Sequence, residues 1–219
     1  MVTSWGGMTN FAGGLVVAGG GLSFDSFFVI YYTYVINRSI DMAESGSSQL
    51  SEIIQVDENL TLEQLRTEDA ERIFALVEKD RAYLTEFLPW PDSTQTVADS
   101  RGFIDLMIQR RKAGNEYGYG IKFDGSVVGH ISLMHVNDDR RPEIGYWISS
   151  EYSGRGITTK ASAALTNFAL SEVGIPRVII RAETTNIGSN RVAEKIGYTL
   201  LKGQETEDGR VLNVWGIGN

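Results

Sequence analysis

The stretch Glu143–Ala161 constrains the fold more than any other, because a strand pattern runs directly into a helix pattern there. A strand is predicted from position 144 to position 149, because Ile144, Tyr146 and Ile148 alternate with Gly145, Trp147 and Ser149. The loop Ser153-Gly154-Arg155-Gly156 follows, and helical periodicity begins at Ile157. Glycines let a ligand approach the backbone closely, and the N–H groups of a first helical turn attract anions. The stretch therefore predicts an anion-binding loop between a strand and a helix.

Two common phosphate-binding loops do not match this stretch. The dinucleotide motif G-x-G-x-x-G requires a glycine at the position of Thr159, and the ATP motif G-x-x-x-x-G-K-[ST] does not occur in the chain. Short glycine motifs also arise in ordinary strand–turn–helix connections. On the loop alone, a cofactor site and a simple structural turn remain alternatives.

The composition excludes several kinds of site. The chain has no cysteine, which excludes a disulfide framework, a thiolate metal site and a cysteine nucleophile. His130 and His135 are its two histidines, so we expect no metal centre. The formal net charge of −8 disfavours broad nucleic-acid binding, which requires a basic face, and we expect no nucleic-acid partner. The same charge suits a cationic substrate, and solvated surface carboxylates explain it equally well.

Residues 1–41 differ from the rest of the chain, being rich in glycine and almost free of charge. Their aromatic and β-branched run, residues 27–36, is too short to cross a bilayer as a helix, so we expect no stable membrane insertion. We interpret residues 1–41 as a leader that is disordered or not native, with Met42 as the true start. An extra strand or dimer arm and a membrane-associated segment remain alternatives, so a homodimer stays open. A polar linker over residues 42–52 then precedes a single domain over residues 53–219.

The patterns after residue 53 predict an α/β domain of the α+β kind, with a mixed, mostly antiparallel sheet and flanking helices. The predicted order is strand, two helices, three strands, helix, strand, helix and two strands. Thr67 can cap the first helix, and the second helix is predicted to run from Thr96 to about Ala113. Asp124-Gly125 predicts a hairpin turn, and Pro142 suggests a bulge. The predicted strands cover residues 60–66, 117–123, 127–135, 143–149, 177–181, 198–201 and 211–215, and predicted helices begin near 67, 96, 157 and 188.

A second motif, Asn186–Tyr198, follows the strand Arg177–Arg181 and has the form N-x-x-S-x-x-x-x-x-K-x-G-[FY]. Together with EIGYWI and the glycine loop, it resembles the two signatures of the GNAT N-acetyltransferases. The resemblance is to the branch of the RimJ/RimL-like ribosomal-protein N-terminal acetyltransferases and the spermidine acetyltransferases, and it covers about residues 61–215. A joint match of this kind is far more specific than one short glycine motif. One departure is Glu151, where the family's loop usually begins with Gln or Arg.

The resemblance implies the GNAT fold and acetyl-CoA as cosubstrate. In this fold two neighbouring parallel strands splay apart, and the pantetheine arm lies in the gap, which here implies contacts with Trp147, Ile148 and Ser149. The diphosphate is then expected on the main-chain N–H groups of the loop and the first helical turn, with Arg155 and Lys160 adding positive charge. These residues are Ser153, Gly154, Arg155, Gly156, Ile157 and Thr158.

The resemblance also implies the residues that catalyse an amine acetylation. Many relatives protonate the leaving thiolate with a tyrosine, but Ala193 occupies that position here. The RimL branch points instead to Ser189 as the acid, with Asn186 positioning the pantetheine or an ordered water; a local backbone contact is the alternative role of Ser189. Glu143 is the acidic candidate for the base, and an ion pair with Arg140, Arg141 or Arg181 is the equal alternative. Tyrosines and tryptophans near the cleft are expected to form its walls.

The preferred interpretation is an enzyme that moves acetyl from acetyl-CoA directly to a primary amine, without an acyl-enzyme, because cysteine is absent. The RimL-like branch implies a protein N-terminal α-amine as acceptor, and a cytoplasmic protein. A small-molecule amine (a polyamine, an amino acid or an antibiotic) and a non-catalytic module that only binds acyl-CoA remain alternatives. Residues 83–96 are expected to govern the choice of acceptor.

Overall fold

The computed structural model describes residues 51–137, 140–205 and 209–218. The predictions of a leader over residues 1–41, of Met42 as the start and of most of the linker over residues 42–52 lie outside the described residues. The described chain forms eight strands and four α-helices. The strands are β1 Ile53–Gln55, β2 Leu60–Glu63, β3 Tyr117–Phe123, β4 Ser126–Met134, β5 Glu143–Ile148, β6 Arg177–Glu183, β7 Thr199–Glu205 and β8 Val211–Gly218, and the helices are α1 Ala70–Thr85, α2 Val97–Lys112, α3 Ile157–Ser171 and α4 Ile187–Lys195.

The strands form one sheet in the order β1-β2-β3-β4-β5-β6-β8-β7. Neighbouring strands are antiparallel except for β5 and β6, which are parallel and joined by the crossover helix α3. This parallel pair has a single register contact, Glu143 opposite Ile179, next to a hydrogen bond of 2.9 Å from Ile179 N–H to Pro142 C=O. The two strands therefore meet where β5 begins and separate afterwards. This arrangement confirms the predicted mixed sheet with a splayed parallel pair.

Helices cover the sheet on both faces because β5 is apolar on both of its sides. On one face, Ile144 and Ile148 join the core beneath α3, whose buried side includes Ala161 and Leu165. On the other face, Trp147 packs with residues of α1 and α2. Fully burying one large apolar side chain stabilises the fold by about 1.5–3 kcal/mol, so both cores hold β5 in place.

The ends of the first two helices differ in how well they were predicted. Helix α1 begins at Ala70 rather than at position 67, because Thr67–Asp69 forms a 3-10 turn. The Asp69 carboxylate stabilises this turn by accepting the Arg66 N–H at 2.8 Å. Helix α2 starts where it was predicted, and Thr96 caps it, since its hydroxyl accepts the N–H of Asp99 and the Asp99 carboxylate accepts the N–H of Thr96 in return.

Three predictions about strands need correction. The first predicted strand ends at Glu63 rather than at residue 66, and the three-residue strand Ile53–Gln55 was missed because it is too short to show a periodicity. The register of β4 with β5 shows no shift near Pro142. The described strands shift register elsewhere: between Ile121 and Lys122 in the pairing of β3 with β4, and between Leu200 and Lys202 in the pairing of β7 with β8.

Gly129 of β4 lies opposite Ile148, where β4 and β5 approach each other closely. A methyl group added at Gly129 would lie 2.3 Å from the carbonyl oxygen of Trp147 and 2.8 Å from Cα of Ile148. Both are backbone atoms, which cannot rotate aside as a side chain can. A residue other than glycine at position 129 would therefore displace the end of β5.

The Gly129→Ala variant is expected to lower the free energy of unfolding by about 2 kcal/mol, since overpacking typically costs 1–3 kcal/mol. Gly102→Ala is the matched control, because Gly102 is exposed on α2 and an added methyl there has nothing within 4 Å. The control should gain about 0.5–1 kcal/mol, since alanine is the better helix former. Urea unfolding measures both values, and a Gly129→Ala protein as stable as wild type would contradict the close approach.

His130 of β4 is buried beneath α2. Its ring makes an edge contact with Phe103 at a centroid distance of 5.1 Å, and its Nε2 has no hydrogen-bond partner among the described residues. Burial lowers the pKa of His130 from 6.5 to about 4, although the charge of Glu116 acts in the opposite direction. His130 is therefore neutral near pH 7 and acts as a core residue.

The free energy of unfolding should fall as the pH falls from 6.5 to about 4. In this window the unfolded chain binds a proton at position 130 that the folded chain does not, and the difference between the two pKa values corresponds to a loss of roughly 3 kcal/mol. His130→Gln removes this contribution, so its stability should depend less on pH. Urea unfolding of both proteins at a series of pH values between 7 and 4 measures the difference, and parallel curves would refute it.

Candidate functional site

A cleft of about 390 Å³ opens where β5 and β6 separate. Its walls are the end of α1, the end of β5, the loop before α3, the first turn of α3 and the beginning of α4. Ser149, Arg155 and Glu143 were predicted as site residues but do not line the cleft. The predicted residues that do line it are Trp147, Ile148, Ser153, Gly154, Gly156, Ile157, Thr158, Asn186 and Ser189.

The loop before α3 presents its backbone N–H groups to the cleft. Gly154 and Gly156 both have φ of 75°, a left-handed conformation that favours glycine, and Gly156 is the N-cap residue of α3 without a side-chain cap. Within the described residues, the N–H groups from Gly154 to Thr159 donate to no protein acceptor. Consecutive free N–H groups at a helix N-terminus form a site for an anion.

The end of β5 offers further backbone groups. Ser149 N–H donates to Val128 C=O at 2.9 Å, so hydrogen-bonded pairs of β5 with β4 fall at residue 149 and at every second residue before it. The N–H and C=O of Ile148 therefore point away from β4, toward the side where β6 has separated. Ser149 itself is fully buried and contributes to the strand rather than to the cleft surface.

The beginning of α4 brings Asn186 and Ser189 into the cleft. Asn186 is the N-cap residue, and its Oδ1 accepts the N–H of Ser189 at 3.0 Å. The alternative role of Ser189 was a contact with the local backbone. Here the main-chain N–H of Ser189 makes the local contact, so its hydroxyl remains available for other partners. Ser189 is half-buried, and its Oγ lies 2.9 Å from the hydroxyl of Tyr146.

Tyr146 is a site residue whose contact with Ser189 was missed by sequence reasoning. Its hydroxyl also donates to the carbonyl oxygen of Ser189 at 3.3 Å. Burial raises the pKa of Tyr146 to about 12, although the hydrogen bond with Ser189 acts in the opposite direction. The phenol is therefore a neutral donor throughout the usual pH range. Tyr146 lies two residues from both Ile144 and Ile148 in β5, so the three side chains share one face of the strand. This spacing was the signal that could have placed Tyr146 near α4.

Glu143 lies at the far end of β5, roughly 14 Å from Trp147 at the usual rise of a strand. Its carboxylate accepts Arg181 Nε at 2.7 Å, and Arg181 Nη2 lies 2.5 Å from the same oxygen. Both side chains are largely buried, at 10% and 18% exposure. The geometry favours the ion pair, which was the alternative to a catalytic base.

The charged side chains that line the cleft are basic. Arg191 and Lys195 of α4 both reach it, and their spacing of four residues on one side of a helix was a signal that sequence reasoning did not use. The two basic residues that were predicted lie elsewhere: the guanidinium of Arg155 lies 5.1 Å from the ring centre of Tyr152, and Lys160 pairs with Asp57 at 2.7 Å.

Glu151, where the chain departs from the family's loop pattern, is paired outside the cleft. Its carboxylate accepts a hydrogen bond of 2.7 Å from Lys79 of α1. This hydrogen bond, more than any other contact, holds the pKa of Glu151 below its ordinary value. The acidic residue therefore does not face the free N–H groups of the loop.

Within the part of the chain that the structure describes, the cleft lining contains no aspartate, glutamate or histidine. Ala193, which replaces the tyrosine acid of many relatives, is fully buried in the core and offers no group to the cleft. Candidates for proton transfer in the described lining are the side chain of Lys195 and the hydroxyl groups, of which Ser189 and Tyr146 form a hydrogen-bonded pair. The described residues contain no cluster of potential metal ligands and no helix long and apolar enough to span a membrane.

Comparison with known proteins places the chain in a family. A sequence model described as an acetyltransferase (GNAT) domain matches residues 59–199. The chain is 34% identical over 161 residues to the Bacillus subtilis protein named "Putative ribosomal N-acetyltransferase YdaF", covering 73% of this chain and 87% of that protein. It is 26% identical over 152 residues to the ribosomal-protein-serine acetyltransferase of Escherichia coli, covering 69% of this chain and 85% of the relative.

Solved structures show the same fold. The RimL ribosomal L7/L12 alpha-N-protein acetyltransferase in complex with coenzyme A superposes with a TM-score of 0.72 at 24% identity, covering 76% of this chain and 98% of that chain. The microcin C7 self-immunity acetyltransferase MccE, in complex with acetyl-CoA and AMP, has a TM-score of 0.71 at 23% identity, with coverage of 80% and 100%. The chain belongs to the GNAT acetyltransferase family and is an acyltransferase that uses acetyl-CoA.

Proposed function

We propose that this protein transfers an acetyl group from acetyl-CoA to the α-amine of a protein N-terminus. The observation that carries the proposal is the content of the cleft, where free N–H groups for a diphosphate and a Tyr146–Ser189 hydroxyl pair share one space. The names of the two sequence relatives, both described as ribosomal acetyltransferases, support the choice of acceptor.

In this proposal the loop and the first turn of α3 hold the diphosphate of the cofactor. Each hydrogen bond from an N–H group to a charged oxygen is worth about 1.5–3 kcal/mol, and the positive end of the helix dipole adds to it. Arg191 and Lys195 bring positive charge to the same anion. The pantetheine arm follows the backbone of β5 and pairs with the C=O of Ile148, while the N–H of Ile148 polarises the thioester carbonyl.

The transfer consists of a bond exchange at the thioester carbon and a proton transfer to the sulfur. The amine nitrogen attacks the thioester carbon, so that the C–N bond forms as the C–S bond breaks. The sulfur then gains a proton from the Ser189 hydroxyl, and the proton lost by the nitrogen returns to Ser189 through solvent. Asn186 fixes Ser189 through the N–H of Ser189. The Tyr146 hydroxyl has one hydrogen, and the proposal directs it to Ser189 Oγ at 2.9 Å rather than to the Ser189 carbonyl oxygen at 3.3 Å. The hydrogen of Ser189 is then free to point at the sulfur.

The acceptor approaches from the side of α1, where Tyr83, Leu84, Phe87 and Leu88 line the cleft. The net charge of −8 favours the approach of cationic amines to the protein. A cytoplasmic location, where a ribosomal protein is the acceptor, and the absence of a nucleic-acid partner belong to this proposal. In this proposal Glu143 holds β5 against β6 rather than acting as a base. The proposed reaction does not require a homodimer.

The Gly156→Ala variant tests the diphosphate site. Alanine is strained at a φ of 75°, so the loop should change shape and the affinity for coenzyme A should fall roughly tenfold or more through the loss of one or two N–H contacts. Gly174→Ala is the matched control, because Gly174 has φ of 76° and, like Gly156, nothing within 4 Å of an added methyl, but does not line the cleft. Calorimetric titration with coenzyme A measures both, and equal affinity of the two variants would refute the site.

Release of coenzyme A in the presence of a panel of amines tests the reaction. The panel contains a peptide with a free α-amine and a version of that peptide that is blocked at its N-terminus and carries a lysine. Spermidine and free amino acids complete the panel. We expect the highest kcat/KM with the free α-amine. Higher turnover of spermidine or an amino acid would favour the small-molecule alternative, and binding of coenzyme A without turnover of any amine would favour a non-catalytic module.

The same assay separates the roles of the two hydroxyls. Ser189→Ala should lower kcat about 10²-fold, the low end for loss of a general acid, and Tyr146→Phe about tenfold, because the serine keeps its proton but loses its orientation. Coenzyme A affinity should change less than about twofold in both, since the diphosphate contacts remain. An unchanged kcat in Ser189→Ala would contradict its role as the acid.

A further inference from the structure

Helix α1 is interrupted at Asp80. This residue has φ of −109° and ψ of 15°, outside the helical range, although the helix continues on both sides of it. Its side chain is only 5% exposed, which is unusual for an aspartate. A buried carboxylate at a break in a helix requires partners that compensate for its lost hydration.

Those partners come from the turn that follows β5. Asp80 Oδ2 accepts the N–H of Ser150 at 2.9 Å, and Asp80 Oδ1 accepts the hydroxyl of Ser150 at 2.6 Å. Burial by itself would raise the pKa of the Asp80 carboxyl, but the two hydrogen bonds from Ser150, the nearby Ser149 hydroxyl and the charge of Lys79 outweigh burial and hold it below its ordinary value. The ionised carboxylate thus takes two donors from one residue.

This contact joins two parts of the cleft. On one side, Ser150 begins the 3-10 turn Ser150–Tyr152, which leads directly into the loop with free N–H groups. On the other side, Asp80 begins the second half of α1, and four residues of this half and of the segment that follows it line the cleft. We call these four residues the acceptor wall: Tyr83, Leu84, Phe87 and Leu88.

We propose that Asp80 is a positioning residue that couples the acceptor wall to the cofactor loop, so that binding of acetyl-CoA at the loop orders the wall for the acceptor. The inference rests on the proposed function, because it takes the loop as the cofactor site and the wall as the acceptor site. By linkage, an acceptor held by the ordered wall strengthens binding of the cofactor by the same factor.

The test measures backbone hydrogen exchange of residues 81–88 in the full-length protein, with and without saturating coenzyme A. In wild type we expect coenzyme A to slow exchange there about fivefold or more, the low end of typical coupling between two sites. Asp80→Asn keeps the size of the side chain but accepts only one of the two Ser150 donors, so most of this slowing should disappear. Ser150→Ala removes the hydroxyl alone and should lose an intermediate part of it.

Lys79→Gln is the matched control. Lys79 pairs with Glu151 at 2.7 Å and so joins the same helix to the same turn, but both side chains are more than half exposed. An exposed pair is worth little, so the slowing by coenzyme A should be as large as in wild type. A merely structural effect of disturbing this junction would appear in both variants.

Three results would overturn the inference: coenzyme A binds to wild type without slowing exchange in residues 81–88, Asp80→Asn retains the full slowing, or Lys79→Gln loses as much as Asp80→Asn. Should Asp80→Asn not fold, Ser150→Ala and Lys79→Gln make the same comparison, and equal slowing in these two would also overturn it. Failure of wild type to bind coenzyme A would instead refute the cofactor site of the proposed function, which calorimetry detects separately.

Discussion

The cleft exists because β5 and β6 pair at one point and then separate. The pairing of Glu143 with Ile179, together with the buried Glu143–Arg181 ion pair, marks where the two parallel strands meet. Removing two charges from water costs about as much as their attraction returns, so we infer that this ion pair defines the meeting point more than it stabilises the fold. Beyond this meeting point, the backbone groups of Ile148 have no neighbouring strand on the side of β6. The chain then passes through the loop before α3, which lines the cleft. The cleft, its free N–H groups and its hydroxyl pair all follow from this separation.

Two helices begin at the cleft, and their N-termini differ in whether a side chain caps them. Asn186 caps α4 with its own side chain and thereby fixes Ser189, whereas α3 begins at Gly156 with no side-chain cap. A capping side chain is worth only about a few tenths of a kcal/mol more than a glycine at the N-cap, so the start of α3 gives up little stability relative to the start of α4. The uncapped N–H groups are exposed to water, which limits this loss, and an anion can take the place of that water.

The sequence predicted most of this fold because its elements have strong local signals. The strand–loop–helix stretch, the hairpin turn at Asp124-Gly125 and the helix start at Thr96 depend on residues close together in the chain, and the structure contains all three. The features that were missed or left open depend on distant residues. The sequence offered Arg181 as one of three possible partners of Glu143 and could not choose among them. The contacts of Tyr146 with Ser189 and of Asp80 with Ser150 join separate elements, and no spacing within one element indicates them. Local patterns thus located the strand–loop–helix stretch better than the side-chain contacts around it.

The cleft lining offers hydroxyl groups and the basic side chains of Arg191 and Lys195 but, within the described residues, no carboxylate or imidazole, which has a consequence for which amines can react. We infer that the nucleophile arrives already deprotonated from solution. An α-amino group has a pKa of about 7.7–8.0 and a lysine side chain about 10.4, so near neutral pH the neutral fraction of the former is several-hundred-fold larger. A catalyst of this kind distinguishes chain termini from lysines through the acidity of the substrate itself, before any side chain of the acceptor is recognised.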